Sequence, residues 1–228
     1  ETWSIDKFPD LQSVSWQHYS TIPLALVTGT NGKSTSVRLA AEIAKAASLN
    51  AGVTSTDFIK VGDTIIDDGD YSGPGGARLL LRDKRTEIAF LEVARGGLLR
   101  RGLPVQRANV ALVTNVAGDH LGQYGINTVE EIASVKSMVS KAIQKGTDFS
   151  KGTLVLNADD ALLVTESKNL NVPICWFSEN ENNPLIVKAL SQNHPCVFVR
   201  NNKLVYSNIK QQIIATINTY PSTQPTLT

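Results

Sequence analysis

Thr28-Gly29-Thr30-Asn31-Gly32-Lys33-Ser34-Thr35 is the stretch on which the fold turns. Ahead of it, Leu24-Ala25-Leu26-Val27-Thr28 reads as a short buried strand. Behind it, Val37, Ala40, Ala41, Ile43, Ala44 and Ala47 recur at helical spacing from Lys33 onward. A glycine turn between a strand and a helix is where a phosphate-binding loop must sit. Glycines let backbone N–H groups close around phosphate oxygens, and the helix N-terminus adds partial positive charge. Lys33 is placed to neutralise β- and γ-phosphates, and the Ser34 hydroxyl to ligate Mg²⁺. The strict G-x-x-x-x-G-K-[ST] pattern is not met, because Val27 stands at its first glycine. The plainer alternative is a tight glycine turn with an exposed lysine.

Outward from the loop, strand-like and helix-like runs alternate. Residues 50–56 return to strand. Ile88-Ala89-Phe90-Leu91-Glu92-Val93 and 110–116 are nearly continuous apolar strands, as parallel strands covered on both faces should be. Residues 128–145 read as a helix with Val129, Ile132, Val135, Val139 and Ile143 on one face, opened by a Thr128/Glu131 capping box. Residues 153–157 and 172–177 are further strands, with a helix over 158–168 between them. The glycine- and aspartate-rich stretch 60–78 reads as a long functional loop with a small hairpin around Asp67-Asp68-Gly69. Near the end, 196–200 and 203–206 flank Asn201-Asn202, a hairpin signal. The expected fold class is α/β: a mostly parallel sheet flanked by helices, with a small C-terminal β-hairpin region. The expected boundaries are a lead-in segment over 1–20, one nucleotide-binding domain over 21–217 and a Thr/Pro-rich linker over 218–228.

Composition bounds the function. The chain has 228 residues, 42% of them hydrophobic, so it can bury a substantial core. A net charge of +1 gives no electrostatic reason to expect nucleic acid or an anionic membrane. No apolar run approaches the ~20 residues of a membrane span. Two cysteines, Cys175 and Cys196, are too few for a disulfide framework and suit a cytoplasmic protein. The first residue is Glu1 rather than Met, which suggests an excised piece.

The loop resembles the T-G-T-N-G-K-[ST]-[TS] loop of Mur ligases and folylpolyglutamate synthetases, which also lacks the first glycine. Further segments resemble the Mur-like half of cyanophycin synthetases: Gly69-Asp70-Tyr71-Ser72-Gly73-Pro74 with Ala77-Arg78; Leu91-Glu92-Val93-Ala94-Arg95-Gly96-Gly97 with Leu99-Arg100-Arg101-Gly102; Asn115-Val116-Ala117-Gly118-Asp119-His120-Leu121-Gly122; and Leu156-Asn157-Ala158-Asp159-Asp160. One departure is Ser55-Thr56-Asp57-Phe58, where these families usually carry Thr-Thr-Asp-Gly.

The resemblance implies a P-loop domain of the Mur ligase middle-domain type. It implies ATP held by Gly29, Thr30, Asn31, Gly32, Lys33, Ser34 and Thr35, with Asn157 and Asp160 near adenine or ribose. It implies Mg²⁺ held by Ser34, Glu92, His120 and Lys136, the lysine often being carbamylated in Mur-type enzymes. Lys33, Glu92, His120 and Lys136 are then the catalytic set. From the residues themselves, Asp159 or Asp160 serves equally as a helix N-cap, and Lys136 as a solvated helix lysine. Ser72, Arg78, Arg95 and Arg100 lie in stretches that read as glycine-rich loops, and arginine forks there suit an acidic peptide or polymer.

The implied reaction is ATP-dependent: a carboxylate becomes an acyl phosphate, and an amine captures it as an amide. The partners are an acidic peptide or polymer and an amino acid, such as an aspartate side chain and arginine. A ligase acting on cell-wall precursors or folate, and a non-catalytic nucleotide-binding module, are the alternatives. The oligomeric state is left open, a homo-oligomer included.

Overall fold

Leu24 and Leu26 point into the main core, whereas Val27 packs with Val37 and Val53 in a second cluster. Alternate residues of one strand face opposite sides of a sheet, so this strand is covered on both faces. The computed structural model describes residues 22–118, 121–208 and 210–216. Among them runs one 11-stranded sheet.

In chain order the elements are β1 (Leu24–Thr28), α1 (Lys33–Ala46), β2 (Ala51–Thr54), β3 (Phe58–Val61), β4 (Thr64–Asp68), α2 (Pro74–Leu80), β5 (Ile88–Glu92), α3 (Arg95–Arg101), β6 (Val110–Val113), α4 (Val129–Ser137), β7 (Thr153–Asn157), α5 (Ala161–Ser167), β8 (Ile174–Ser178), α6 (Pro184–Ser191), β9 (Cys196–Arg200), β10 (Lys203–Asn208) and β11 (Lys210–Thr216). The spatial order is β11-β10-β9-β8-β7-β6-β1-β5-β2-β3-β4. From β9 to β2 every neighbouring pair is parallel, and antiparallel strands extend both ends.

The chain leaves β1 towards β2 and β5 on one side, then crosses to β6 on the other. This reversal opens a crevice at the carboxyl end of β1, where ligands bind in open α/β sheets. Val37 of α1 packs with Val27 and Val53 on one face. Ala77, Leu80, Leu98, Val135 and Leu163 bring α2 to α5 onto the other, against Leu26, Leu91, Ala111 and Leu154.

Several local expectations hold. Thr128 and Glu131 form the reciprocal capping box that starts α4. Asn201 and Asn202, with φ 48 and 59, make the turn between β9 and β10, since asparagine tolerates left-handed backbone.

Others are corrected. The stretch 60–78 is no long loop. It holds the end of β3, all of β4 and the start of α2, and the hairpin turns at Gly62-Asp63 rather than at 67–69. The helix expected over 128–145 stops at Ser137 and continues as a 3₁₀ segment to Ala142. Arg78, Arg95 and Arg100 stand on α2 and α3, not in loops. Three helices, α2, α3 and α6, and the strand β11 were not expected. The lead-in segment 1–20 and the linker 218–228 lie outside the described residues.

Candidate nucleotide-binding site

The candidate phosphate loop leaves β1 in a conformation that favours glycine. Gly29 has φ +148, and a Cβ there would lie 1.8 Å from the Thr114 side-chain oxygen. Gly32, with φ 82, starts α1 without any side-chain cap, so the first backbone N–H groups of this 14-residue helix keep no side-chain acceptor. That is the arrangement an anion needs. Lys33 folds back over the loop and its Nζ donates to the Thr30 carbonyl at 2.9 Å. Ser34 shares a 3.3 Å hydrogen bond with Thr56. Thr35 is exposed on the first turn of α1.

Behind the loop stands the segment that follows β6. The Asn115 side chain accepts from Asn31 N at 3.0 Å and donates to Asn31 O at 3.2 Å. Thr114 Oγ1 donates to Asn31 O at 2.6 Å. Thr30 N donates to Asn115 O at 2.9 Å, and Thr30 Oγ1 exchanges hydrogen bonds with the Ala117 backbone. Asn157 and Asp160 reach the same segment. Asn157 Nδ2 donates to Thr114 O at 3.3 Å, and Asp160 Oδ2 accepts from Val116 N at 2.7 Å. Asp160 also caps α5, accepting from Leu162 N and Leu163 N. The N-cap alternative thus falls to Asp160. Asp159 instead accepts from Ser178 Oγ, Glu179 N and Asn183 Nδ2, tying the end of β7 to that of β8.

Glu92 ends β5, paired in register with Val27 just before the phosphate loop. It is 2% exposed, yet neither carboxylate oxygen has a hydrogen-bond partner among the described residues. A buried, unpaired carboxylate costs several kcal/mol by order of magnitude, which makes Glu92 a candidate for pairing with a positive charge. Lys136 is buried on α4 rather than solvated, and it has an interaction partner. His120 lies outside the described residues.

Ser72 is buried, its backbone N and Oγ both donating to Asp70 Oδ1. Its carbonyl accepts from Ala94 N, and Gly97 approaches Gly73 closely enough that a Cβ would meet Gly73 Cα at 3.3 Å. The Ser72 segment and α3 are therefore brought together. Arg95 donates to Gln123 Oε1 at 3.4 Å, and Arg100 lies 5.6 Å over the Tyr124 ring. Arg78 stands exposed on α2. Asp57 and Phe58, the departure noted in the sequence, both engage Arg38 of α1: one as ion pair, the other beneath its guanidinium at 5.1 Å.

The profile of the Mur ligase middle domain matches residues 27–220. The chain belongs to that family. This Mur ligase middle domain is 42% identical over 197 residues to the cyanophycin synthetase of Geminocystis herdmanii, covering 86% of the chain and 21% of that protein. The chain thus spans about a fifth of the curated relative's length. In fold it is similar to a UDP-N-acetylmuramoyl-L-alanyl-D-glutamate–2,6-diaminopimelate ligase, with a TM-score of 0.59 at 21% identity, covering 81% of this chain and 36% of that one. It is also similar to a bifunctional folylpolyglutamate synthase/dihydrofolate synthase with Mn, AMPPNP and L-glutamate bound, with a TM-score of 0.57 at 18% identity, covering 84% and 48%.

Within this Mur ligase middle domain, the sequence reading ran Thr114 into a strand and did not single out Gln123 or Tyr124. It quoted Asn115 without giving it work. The available signal was position: a polar Thr-Asn pair directly after an apolar strand lies at the carboxyl edge of the sheet, where ligands bind in open α/β folds.

Proposed function

We propose that this Mur ligase middle domain binds ATP and Mg²⁺ and serves an amide-bond ligation of the cyanophycin-synthetase type. The observation that carries the reading is the buried Glu92 carboxylate, without a hydrogen-bond partner among the described residues, on the strand beside the one that leads into an uncapped glycine loop. Glu92 and Ser34 are acidic and hydroxyl oxygens of the kind Mg²⁺ takes, so they fit the cation the family implies. His120 and Lys136, carbamylated or not, are proposed to complete its surroundings. When bound, Mg²⁺ would offset charge on the β- and γ-phosphate oxygens.

The chain's own residues then have separable tasks. Loop amides from Gly29 to Thr35 hold the phosphates. Lys33 would leave the Thr30 carbonyl for a phosphate oxygen, which is the stronger, charged acceptor. Asn157 and Asp160 bound the adenine or ribose end. Ser72, Arg78, Arg95 and Arg100 orient an acidic peptide or polymer. The substrate carboxylate attacks the γ-phosphorus and releases ADP. The amine of the incoming amino acid then attacks the acyl carbon, loses its proton and expels inorganic phosphate. Orientation of the two reactants can contribute about 7–11 kcal/mol of barrier lowering. The aspartate side chain of a polymer and free arginine are the proposed pair, on the strength of the 42% identity to a cyanophycin synthetase. A cytoplasmic setting goes with this reading. No helix among the described residues is long and apolar enough to cross a membrane.

The test is ADP release from ATP by the full-length protein, with aspartate-containing peptides and each amino acid in turn. Release that depends on an aspartate peptide and arginine supports the proposal. Release that depends instead on a cell-wall precursor or folate overturns the substrate reading. Nucleotide binding without turnover on any acid–amine pair overturns the ligase reading.

A further inference from the structure

The phosphate loop does not hold its own shape. Apart from the Lys33 contact, the described bonds that restrain Thr30 and Asn31 come from the segment after β6. The Asn31 peptide is gripped at both ends: its N–H by the Asn115 carboxamide oxygen, its carbonyl by the Asn115 amide at 3.2 Å and by the Thr114 hydroxyl at 2.6 Å. Thr114 Oγ1 also lies 3.3 Å from the Thr28 carbonyl, but it has one proton, and the shorter bond claims it. The same hydroxyl occupies the space a Cβ at Gly29 would need. The grip is itself anchored. Asn157 Nδ2 donates to the Thr114 carbonyl, and the Asp160 carboxylate accepts from Val116 N.

We propose that Thr114 and Asn115 form a clamp that sets the peptide orientation of the phosphate loop, with Asn157 and Asp160 as its anchors. The proposal rests on the nucleotide reading of the loop and deepens it. Thr114 and Asn115 are positioning residues: they touch the Asn31 peptide, and through it aim the next N–H groups, those of Gly32 and Lys33, at phosphate. The anchors sit at the carboxyl end of β7, where the family resemblance puts the base or ribose. Occupancy there and the shape of the phosphate loop are thereby joined through one short segment. A polar strand end, rather than an extra glycine, does the work of fixing the loop whose first glycine position is taken by Val27.

The experiment follows hydrogen exchange at the Thr30 and Asn31 amides in the nucleotide-free full-length protein, alongside ADP affinity by calorimetry and the melting temperature. Asn115→Ala and the near-isosteric Thr114→Val are compared with Thr114→Ser, which keeps the hydroxyl. The clamp predicts faster exchange at both amides and about tenfold weaker ADP binding in the first two variants, corresponding to about 1.4 kcal/mol. Thr114→Ser should stay near wild type. Asn157→Ala should also speed exchange, with no nucleotide present to contact. Should Asn115→Ala fail to fold, Thr114→Val decides alone. A lowered melting temperature with unchanged loop exchange and ADP affinity assigns a merely structural role and overturns the clamp. Lys33→Ala separates the two claims. If the wild type binds no ADP, the nucleotide reading fails, while exchange still decides the clamp. If Lys33→Ala loses ADP and the clamp variants do not, the clamp alone is wrong.

Discussion

At the scale of single residues, burial and pairing separate groups that hold the fold from groups that are candidates to hold a ligand. Lys33 gives up one hydrogen bond to a backbone carbonyl when truncated. Lys33→Ala should therefore cost no more than about 1 kcal/mol of stability while removing measurable ATP binding, as calorimetry and a melting curve would show. Glu92 behaves in the opposite sense. Among the described residues neither oxygen of its buried carboxylate has a hydrogen-bond partner, so Glu92→Gln, which keeps the shape and drops the charge, should raise the melting temperature of the ligand-free protein. The same change should lower turnover and raise the Mg²⁺ requirement. A variant that is both less stable and fully active would refute this assignment. Cys175 is a third case. Burial, then the neighbouring Cys196, pushes its thiol up to about 12, so it stays protonated at neutral pH. It should resist alkylation until the protein unfolds.

Elements depend on contacts that fix their ends. The carboxyl ends of β7 and β8 are tied by Asp159. Burial works against its charged form, but hydrogen bonds from Ser178, Glu179 and Asn183 win, and its pKa lies below the ordinary carboxylate value. The sign follows from linkage. With the folded value depressed, Asp159 contributes stability above its unfolded value and loses it as pH falls through the folded one. Asp159→Asn should thus narrow the stability gap to wild type as the solution is acidified below the usual carboxylate range, seen in melts at successive pH values. The side chain is exposed, so the effect is about 1 kcal/mol at neutral pH. A gap independent of pH would count against it. Capping was legible at Thr128 because Ser/Thr followed three residues later by Glu is a local code. By contrast α3 carries two glycines and three arginines in seven residues, Arg95-Gly96-Gly97-Leu98-Leu99-Arg100-Arg101, and local propensity does not announce it. It forms because Leu98 is buried in the core and Gly97 lets the Ser72 segment close on it.

Across the whole molecule the parallel sheet fixes where its loops converge, and a ligand there reports on the entire fold. Saturating ADP with Mg²⁺ at about a hundred times its dissociation constant should stabilise the native state by about 2.7 kcal/mol. For a chain of this size that is a rise in melting temperature of roughly 5–10 °C. The rise should vanish in Lys33→Ala. A shift that survives in that variant would place the nucleotide elsewhere.

The amino-acid sequence alone determined the parallel α/β architecture and singled out the candidate phosphate loop. Both rest on contiguous signals: apolar runs at strand length, helical periodicity, and glycines beside a lysine at a strand-to-helix turn. The resemblance also pointed to Glu92, at the end of an apolar strand. Tertiary structure decided what surrounds them. Asn31 and Asn115 are separated by 84 residues, and nothing local says that β6 lies beside β1 and brings one amide onto the other's peptide. Asn157 and Asp160 were read as neighbours of the base, but their bonds to the segment after β6 depend on the β6–β7 pairing. Strand order is a matter of which faces bury best against which helices, a sum over the whole chain. Residues that act by holding other residues therefore come into view only once that sum has been settled by folding.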